Sequence, residues 1–314
     1  MKKPLVTVGI INYNYSNYIL QALNSVGSQD YPNIEIIIID DFSKDESVKI
    51  INNWINDNIQ SQKIHFIANK INQGLTKNCN TILKIAKGKY LQILDADDII
   101  LPDKISSQVE ILENKPDCAL VFTKVSVINE NGDLIRDNYF DQIGYGNRII
   151  PSGKVFEDLL EFNFIPLPSI LLNTIYAKNI GGFDDKMQVQ DYYMWLKLSR
   201  NFSFIFHPFV TAFYRVHSVS MSNSISTKFR SYEDVLNIKF SYYHKTGKKG
   251  KQFIVNEITS ISQVLYQFGN VSAKKWLLRA FLLRPTFKTF IFLLCISLGI
   301  PYDYFLILKK IIAN

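Results

Sequence analysis

The strongest constraint on this chain is a pair of apolar runs that each end abruptly in acids. Ile34-Glu35-Ile36-Ile37-Ile38-Ile39 stops at Asp40-Asp41, and Tyr90-Leu91-Gln92-Ile93-Leu94 stops at Asp95-Ala96-Asp97-Asp98. Runs of this kind suit strands buried on both faces, as in parallel sheets covered by helices. Helical patterns separate them. A first strand over residues 5–11 is followed by a helix over 16–28. Ser43 and Glu46 read as a capping box opening a helix to about Asn58. Residues 63–68 read as a strand, 75–87 as a helix, and Pro102 starts a helix reaching about Asn114. Such alternation implies βαβ units and a parallel sheet. Ligands of these sheets bind beyond the carboxyl ends of the strands, where both acidic clusters stand.

The middle is less regular. Residues 119–128 read as a strand, 129–133 as a hairpin turn, and 170–172, 204–206 and 210–215 as further strands. Between them lies loop sequence with Gly144, Gly146, Pro151 and Gly153, and from Lys228 the pattern is helical with a break near residues 245–251. The expected class is α/β, a mostly parallel sheet flanked by helices, with a helical C-terminal extension. The expected division is a catalytic domain over 1–225 and a helical region over 226–314.

Composition narrows the partners. At 314 residues the chain buries a core without staples. Three cysteines, far apart and without a CxxC, argue against a disulfide framework or thiolate metal site and suit a reducing cytosol. Lys2 and Lys3 precede an apolar stretch that ends too soon, at Asn12-Tyr13-Asn14, for a signal peptide. The net charge of +7 is compatible with nucleic acid, an anionic membrane or phosphorylated substrates. The basic residues form no stripe alternating with base-stacking aromatics, so no nucleic-acid partner is expected.

Three carboxylates within four residues, Asp95, Asp97 and Asp98, repel one another unless something positive is bound. Mg²⁺ or Mn²⁺ would relieve that cost, with one or two carboxylates and phosphate oxygens in its shell. Taken alone, Asp98 or Asp103 also reads as a helix cap, and Asp40-Asp41 as turn chemistry. Two acidic ends in one sheet strengthen each other because both can face one pocket.

The residues then match a known pattern in order: Val6-Thr7-Val8-Gly9-Ile10-Ile11-Asn12-Tyr13-Asn14; Ile39-Asp40-Asp41-Phe42-Ser43; Asn72-Gln73-Gly74-Leu75; Gly88-Lys89-Tyr90 with Leu94-Asp95-Ala96-Asp97-Asp98; Gly181-Gly182-Phe183-Asp184; Gln190-Asp191-Tyr192-Tyr193-Met194-Trp195-Leu196; and Tyr214-Arg215-Val216-His217-Ser218-Val219-Ser220. Over about residues 4–220 the chain resembles glycosyltransferase family 2, inverting nucleotide-sugar enzymes of the GT-A fold. The resemblance implies that Ile11, Asn12, Tyr13, Asn14 and Asp41, with Asp40 beside them, line the nucleobase and ribose pocket. It implies that Asn72 and Gly74 border the crevice, and that Asp95 holds the ribose or a water-bridged metal. Asp97 would ligate Mn²⁺ or Mg²⁺ on the donor diphosphate, Asp191 would be the general base, and His217 a further metal or diphosphate contact. Residues 1–115 would bind the nucleotide sugar and 116–225 serve the acceptor.

There are two departures. Gln190 stands where the family often has Glu, and Gly9 sits inside the first strand, which suggests close backbone approach. Asp191 also reads as an acid at a helix N-terminus, where the dipole favours it. A sugar-1-phosphate nucleotidyltransferase would show a Gly- and Arg-rich loop after the first strand, where Asn12-Tyr13-Asn14 stands. A glycoside hydrolase needs a facing acid/base pair instead of a metal cluster. A catalytically inactive sugar-nucleotide scaffold is countered by intact Asp95, Asp97 and Asp191.

Residues 281–312 are strongly apolar, with Arg279, Arg284, Lys288, Lys309 and Lys310 flanking or interrupting them. The longest nearly uncharged run, 289–302, falls short of the ~20 residues of a spanning helix, and Gly299 and Pro301 break it. Helices over about 281–314 lying on an anionic membrane surface are expected, at the inner face of the cell membrane. The alternatives are a hairpin packed on the catalytic domain or on a homodimer partner, and a single span over 289–308 obstructed by Asp303. Such a tail suits a saccharide or lipid-linked acceptor in surface polysaccharide, lipopolysaccharide or capsule synthesis.

Overall fold

The structure is a computed structural model and describes residues 3–58, 63–218, 225–302 and 304. The chain divides into two compact units, Met1–Leu159 with Asn163–Ser220, and Leu160–Phe162 with Met221–Asn314.

In the first unit, β1 (Val6–Asn12), β2 (Ile34–Asp40), β3 (Lys63–Ala68) and β4 (Tyr90–Asp95) run parallel in the order β3-β2-β1-β4. Helices α1 (Ile19–Gly27), α2 (Ser47–Asn58) and α3 (Leu75–Ile85) connect them. All seven residues of β1 are buried, as the uninterrupted apolar pattern requires. Gly9 lies under α3: a Cβ there would meet Ile82 Cγ2 at 2.5 Å, so glycine lets helix and strand approach closely.

Beyond β4 the sheet becomes mixed. After β5 (Ile99–Ile100) and α4 (Lys104–Glu113), the long strand β6 (Cys118–Ile128) turns back through residues 129–133 into β7 (Leu134–Arg136). Helices α5 (Tyr139–Gln142) and α6 (Phe156–Glu161) lead to β8 (Leu171–Asn173), α7 (Thr174–Asn179) and α8 (Gln190–Ser199). The strand β9 (Ser203–Arg215) follows, and the order continues β4-β8-β6-β9-β5 with β8 antiparallel to both neighbours. The expected strands at 204–206 and 210–215 are one strand, whose register against β6 shifts around Lys124. That irregularity, beside Pro208, broke the sequence pattern.

One local expectation fails. Ser43 does not cap α2, whose first helical residue is Ser47. The Ser43 hydroxyl instead accepts from the Asn14 N–H at 2.9 Å, while Asp45 accepts from the Ser47 N–H at 3.0 Å. Glu46 pairs with Lys49 on the surface.

The second unit is helical: α9 (Ile225–Tyr242), α10 (Lys248–Gln267), α11 (Ser272–Leu283) and α12 (Phe287–Ser297). Leu277, Phe292 and Cys295 form its buried cluster. α12 carries a capping box, Thr286 with Thr289, and closes before Gly299, which has φ +69°. Among the described residues no helix is long and apolar enough to cross a membrane. Residues 303 and 305–314, including most of the last expected apolar stretch with Lys309 and Lys310, lie outside the described residues, as do Val219 and Ser220.

Candidate active site

Register brings the two acidic clusters together. Asn12 pairs with Asp40 on one side of β1, and Ile11 with Asp95 on the other. The Asp41 N–H donates to the Asn12 carbonyl at 2.8 Å and the Ala96 N–H to the Ile11 carbonyl at 3.1 Å. Both clusters therefore flank the carboxyl end of the central strand.

At the Asp40 end every carboxylate oxygen of Asp40 and Asp41 is hydrogen-bonded, although the buried Asn12 Oδ1 has no partner. Asn12, fully buried, donates through Nδ2 to Asp40 Oδ2 at 2.8 Å and to Ser43 Oγ at 3.1 Å. Asp40 Oδ1 accepts from the Ser43 N–H at 2.9 Å. Asn14 adopts φ +55°, a left-handed conformation that asparagine tolerates, and its Oδ1 accepts from the Lys44 N–H at 2.8 Å. Asp41 Oδ1 accepts from Asn69 Nδ2 at 2.9 Å and the Gln73 N–H at 2.8 Å, and Oδ2 from the Gly74 N–H at 2.8 Å. Asp40 and Asp41 thus organise the backbone beyond the strand end, and Asp41 folds the loop that carries Asn72 and Gly74 to the start of α3. Ile11 is buried, while Tyr13 and Asn72 are exposed.

The other end is crowded and short of donors. One carboxylate oxygen from each of Asp95, Asp97 and Asp98 lies within 4.8 Å of the others. The Asp98 N–H closes a tight turn onto the Asp95 carbonyl at 3.1 Å. Pairing of β5 with β9, Ile99 opposite Phe213, delivers the end of β9 to this turn. His217 Nε2 lies 3.0 Å from Asp97 Oδ2, with its ring against Tyr15 and Tyr18. Asp98 is buried, its Oδ1 accepting from the Arg215 N–H at 2.9 Å, while Oδ2 has no hydrogen-bond partner.

The electrostatics follow from this shortage. Burial, then the charges of Asp97 and Asp191, push Asp95 up to about 8. Burial, then Asp97 and Asp95, push Asp98 up as well, against the pull of Arg215. Asp191, in the first turn of α8, is raised chiefly by burial, although its Oδ1 accepts from the Tyr192 N–H at 2.6 Å. The charge of Asp191 also bears on Tyr139, so Asp191, Asp95 and Tyr139 share one electrostatic neighbourhood. A buried acceptor without a donor, among three clustered carboxylates, fits a hard divalent cation with oxygen ligands.

The sequence pattern assigned no role to several residues that the fold gathers here: Tyr15, Tyr18, Gln21, Asn69 and Arg215, the last of which stands inside the final matched segment. Tyr15 directly follows the first matched segment, so its proximity to the site was available in the pattern. Gln21 and Asn69 carried no signal, because only tertiary packing brings them in.

The sequence pattern described as Glycosyl transferase family 2 matches residues 7–166. A glycosyltransferase of Rickettsia prowazekii, described as uncharacterized, is 31% identical over 241 residues, covering 74% of this chain and 70% of that one. An Escherichia coli protein named UDP-Glc:alpha-D-GlcNAc-diphosphoundecaprenol beta-1,3-glucosyltransferase WfaP is 33% identical over 223 residues, covering 69% of this chain and 80% of its own. Among solved structures, the mannosyltransferase PcManGT of Pyrobaculum calidifontis, in complex with GDP-Man and Mn²⁺, aligns with a TM-score of 0.63 at 18% identity. That alignment covers 97% of this chain and 84% of the other. Residues 1–349 of S. aureus TarS, in complex with UDP-GlcNAc, align at 0.59 and 16% identity over 94% of this chain and 92% of that one; this chain spans 44% of a longer TarS chain.

The fold, with its acidic strand ends, is that of a glycosyltransferase of the GT-A class. The chain belongs to glycosyl transferase family 2.

Proposed function

We propose that this glycosyltransferase is a metal-dependent, inverting enzyme that moves a sugar from a nucleoside-diphosphate donor to a hydroxyl of a saccharide or lipid-linked acceptor. The observation that carries the reading is the cluster of Asp95, Asp97 and Asp98, with its orphaned Asp98 oxygen, beside the strand end that holds Asn12 and Asp40. Residues 1–115 bind the donor and 116–225 the acceptor side. In this reading the nucleobase and ribose lie over Ile11, Asn12, Tyr13 and Asn14, bordered by Asn72 and Gly74, with Asp41 holding the loop in place. A uridine donor is favoured by WfaP, 33% identical, whose name carries UDP-Glc.

Asp97, with Asp95 and His217 beside it, would hold Mn²⁺ or Mg²⁺ against the diphosphate. When bound, such an ion neutralises charge developing on the leaving phosphate. Asp191 takes the proton from the acceptor hydroxyl as that oxygen attacks the anomeric carbon. Its raised affinity for protons suits it to this role. Attack on the face opposite the diphosphate inverts the centre, and the crevice aligns the two reactants.

The helical unit is proposed to rest on an anionic membrane at the cytoplasmic face, where a lipid-linked acceptor for surface polysaccharide synthesis would be presented. Residues 221–314 carry 14 Lys and Arg against 4 Asp and Glu, whereas residues 1–220 carry 21 against 24. Phe287, Phe290, Leu294 and Leu298 form an exposed apolar stripe along α12.

A thermal-shift screen of UDP- and GDP-sugars, with and without Mn²⁺, tests the reading. Stabilisation by a nucleotide sugar that requires the ion is expected. No shift with any nucleotide sugar would overturn it.

A further inference from the structure

The end of β9 does more than bring His217 to the acidic turn. Arg215 is 1% exposed, and its donors fan out to three separate elements. Its Nε donates to the Asp97 carbonyl at 2.8 Å. Nη1 donates to the carbonyls of Asn129 and Glu130, at 3.0 and 3.3 Å, in the β6–β7 hairpin. Nη2 donates to Gln21 Oε1 on α1 at 2.6 Å. The guanidinium carbon lies 4.9 Å from the centre of the Tyr18 ring, and the Arg215 N–H holds Asp98 Oδ1. A planar five-donor fork can satisfy acceptors in several directions at once, which a lysine ammonium at the end of a flexible stem cannot.

We propose that Arg215 is a positioning residue that locks the acidic turn, residues 95–98, in cation-binding register against α1 and the β6–β7 hairpin. It grips the Asp97 peptide carbonyl, so the direction of the Asp97 carboxylate is set from the backbone. At the same residue pair it holds Asp98 Oδ1 through its N–H, while Asp98 Oδ2 has no hydrogen-bond partner. Its side chain donates only to carbonyl and amide oxygens, so its permanent charge remains to offset the carboxylates of Asp97 and Asp98. The inference rests on the reading that this cluster binds a divalent cation.

The test measures Mn²⁺ binding to the full chain by the electron-spin resonance signal of free Mn²⁺ in the presence of UDP, alongside UDP binding in EDTA. Supporting groups of this kind typically contribute about 10–100-fold in metal affinity. Arg215→Lys and Arg215→Met are expected to weaken Mn²⁺ binding by about that factor while UDP binding in EDTA stays within about twofold. Gln21→Leu removes one partner of the fork on a surface helix and is expected to weaken Mn²⁺ binding by a few-fold, which keeps the test open if Arg215→Met fails to fold. Wild-type Mn²⁺ affinity in folded Arg215→Lys overturns the proposal. So does an equal loss of Mn²⁺ and UDP binding together with a lowered Tm, which marks a general structural role. If the wild-type chain binds UDP but no Mn²⁺, the cation reading itself falls and the proposal with it.

Discussion

Two acidic strand ends meet at the carboxyl edge of one sheet, and they are built in opposite ways. Both carboxylate oxygens of Asp40 and of Asp41 accept hydrogen bonds from side-chain amides or backbone N–H groups. Around Asp95, Asp97 and Asp98 donors are scarce, one buried oxygen has none, and burial with mutual repulsion pushes Asp95 and Asp98 upward. A pair of acids after a strand is therefore ambiguous until its donors are counted. Satisfied acids organise backbone, whereas unsatisfied ones are held ready for a cation or a proton.

The sharpest probe of that contrast is Asp191, at the unsatisfied end. Asp191→Asn keeps an acceptor for the Tyr192 N–H but cannot take a proton. Turnover is expected to fall by about 10²–10⁴, with binding of the nucleotide sugar and Tm nearly unchanged. Steady-state kinetics beside a donor titration check this, and near-normal turnover would remove Asp191 from the base role.

At the satisfied end the order of effects reverses. Asp41→Ala strips the acceptor from Asn69, Gln73 and Gly74 and releases the loop before α3. A hydrogen bond to a charged group contributes about 1.5–3 kcal/mol. Because Gln73 is exposed and its N–H can turn to water, a total loss of about 2–3 kcal/mol is expected by urea denaturation. A variant as stable as the parent would mean that the network is incidental.

The contrast also predicts a pH profile. Asp191, half-buried, lies above the ordinary carboxylate range because desolvation disfavours its charge, and only its ionised form accepts a proton. The rate should therefore fall as pH drops, by about tenfold per unit below an inflection higher than the usual carboxylate value near 4. An inflection at or below that value would refute the link between burial and function.

Much of this was legible in the sequence, for identifiable reasons. The parallel half announced itself because strands buried on both faces read as unbroken apolar runs. The strand order was not read from the sequence; the structure places β1 between β2 and β4, so that Asp40-Asp41 and Asp95-Ala96-Asp97-Asp98 share an edge. The mixed half was harder to read. β8 has only three residues, and β9 is interrupted around Pro208 with no strict alternation. The difference between the two acidic ends was not legible. Ser43 looked like a helix cap and became a crevice acceptor, and the donors to Asp41 come from residues 28–33 positions away. Gly9 was readable in kind, as a close approach, but not in partner, since Ile82 is set by how α3 packs.

The smallest expected effect discriminates most finely, because it should change sign between the two ends. In metal-free protein, burial and the charges of Asp97 and Asp95 disfavour the charged form of Asp98, so holding that charge costs folding stability. Asp98→Asn removes the charge and retains an oxygen for the Arg215 N–H. In EDTA it should therefore raise Tm by about 1–2 °C, the shift that roughly 1 kcal/mol produces in a chain of 314 residues. Asp40→Asn makes the same chemical change where two donors already converge. It turns an acceptor into an NH₂ group facing either the Ser43 N–H or Asn12 Nδ2, and should lower Tm. Saturating Mn²⁺ and UDP should then favour the parent over Asp98→Asn, reversing their order. Shifts of the same sign in EDTA would mean that the two strand ends do not differ as their hydrogen bonding indicates.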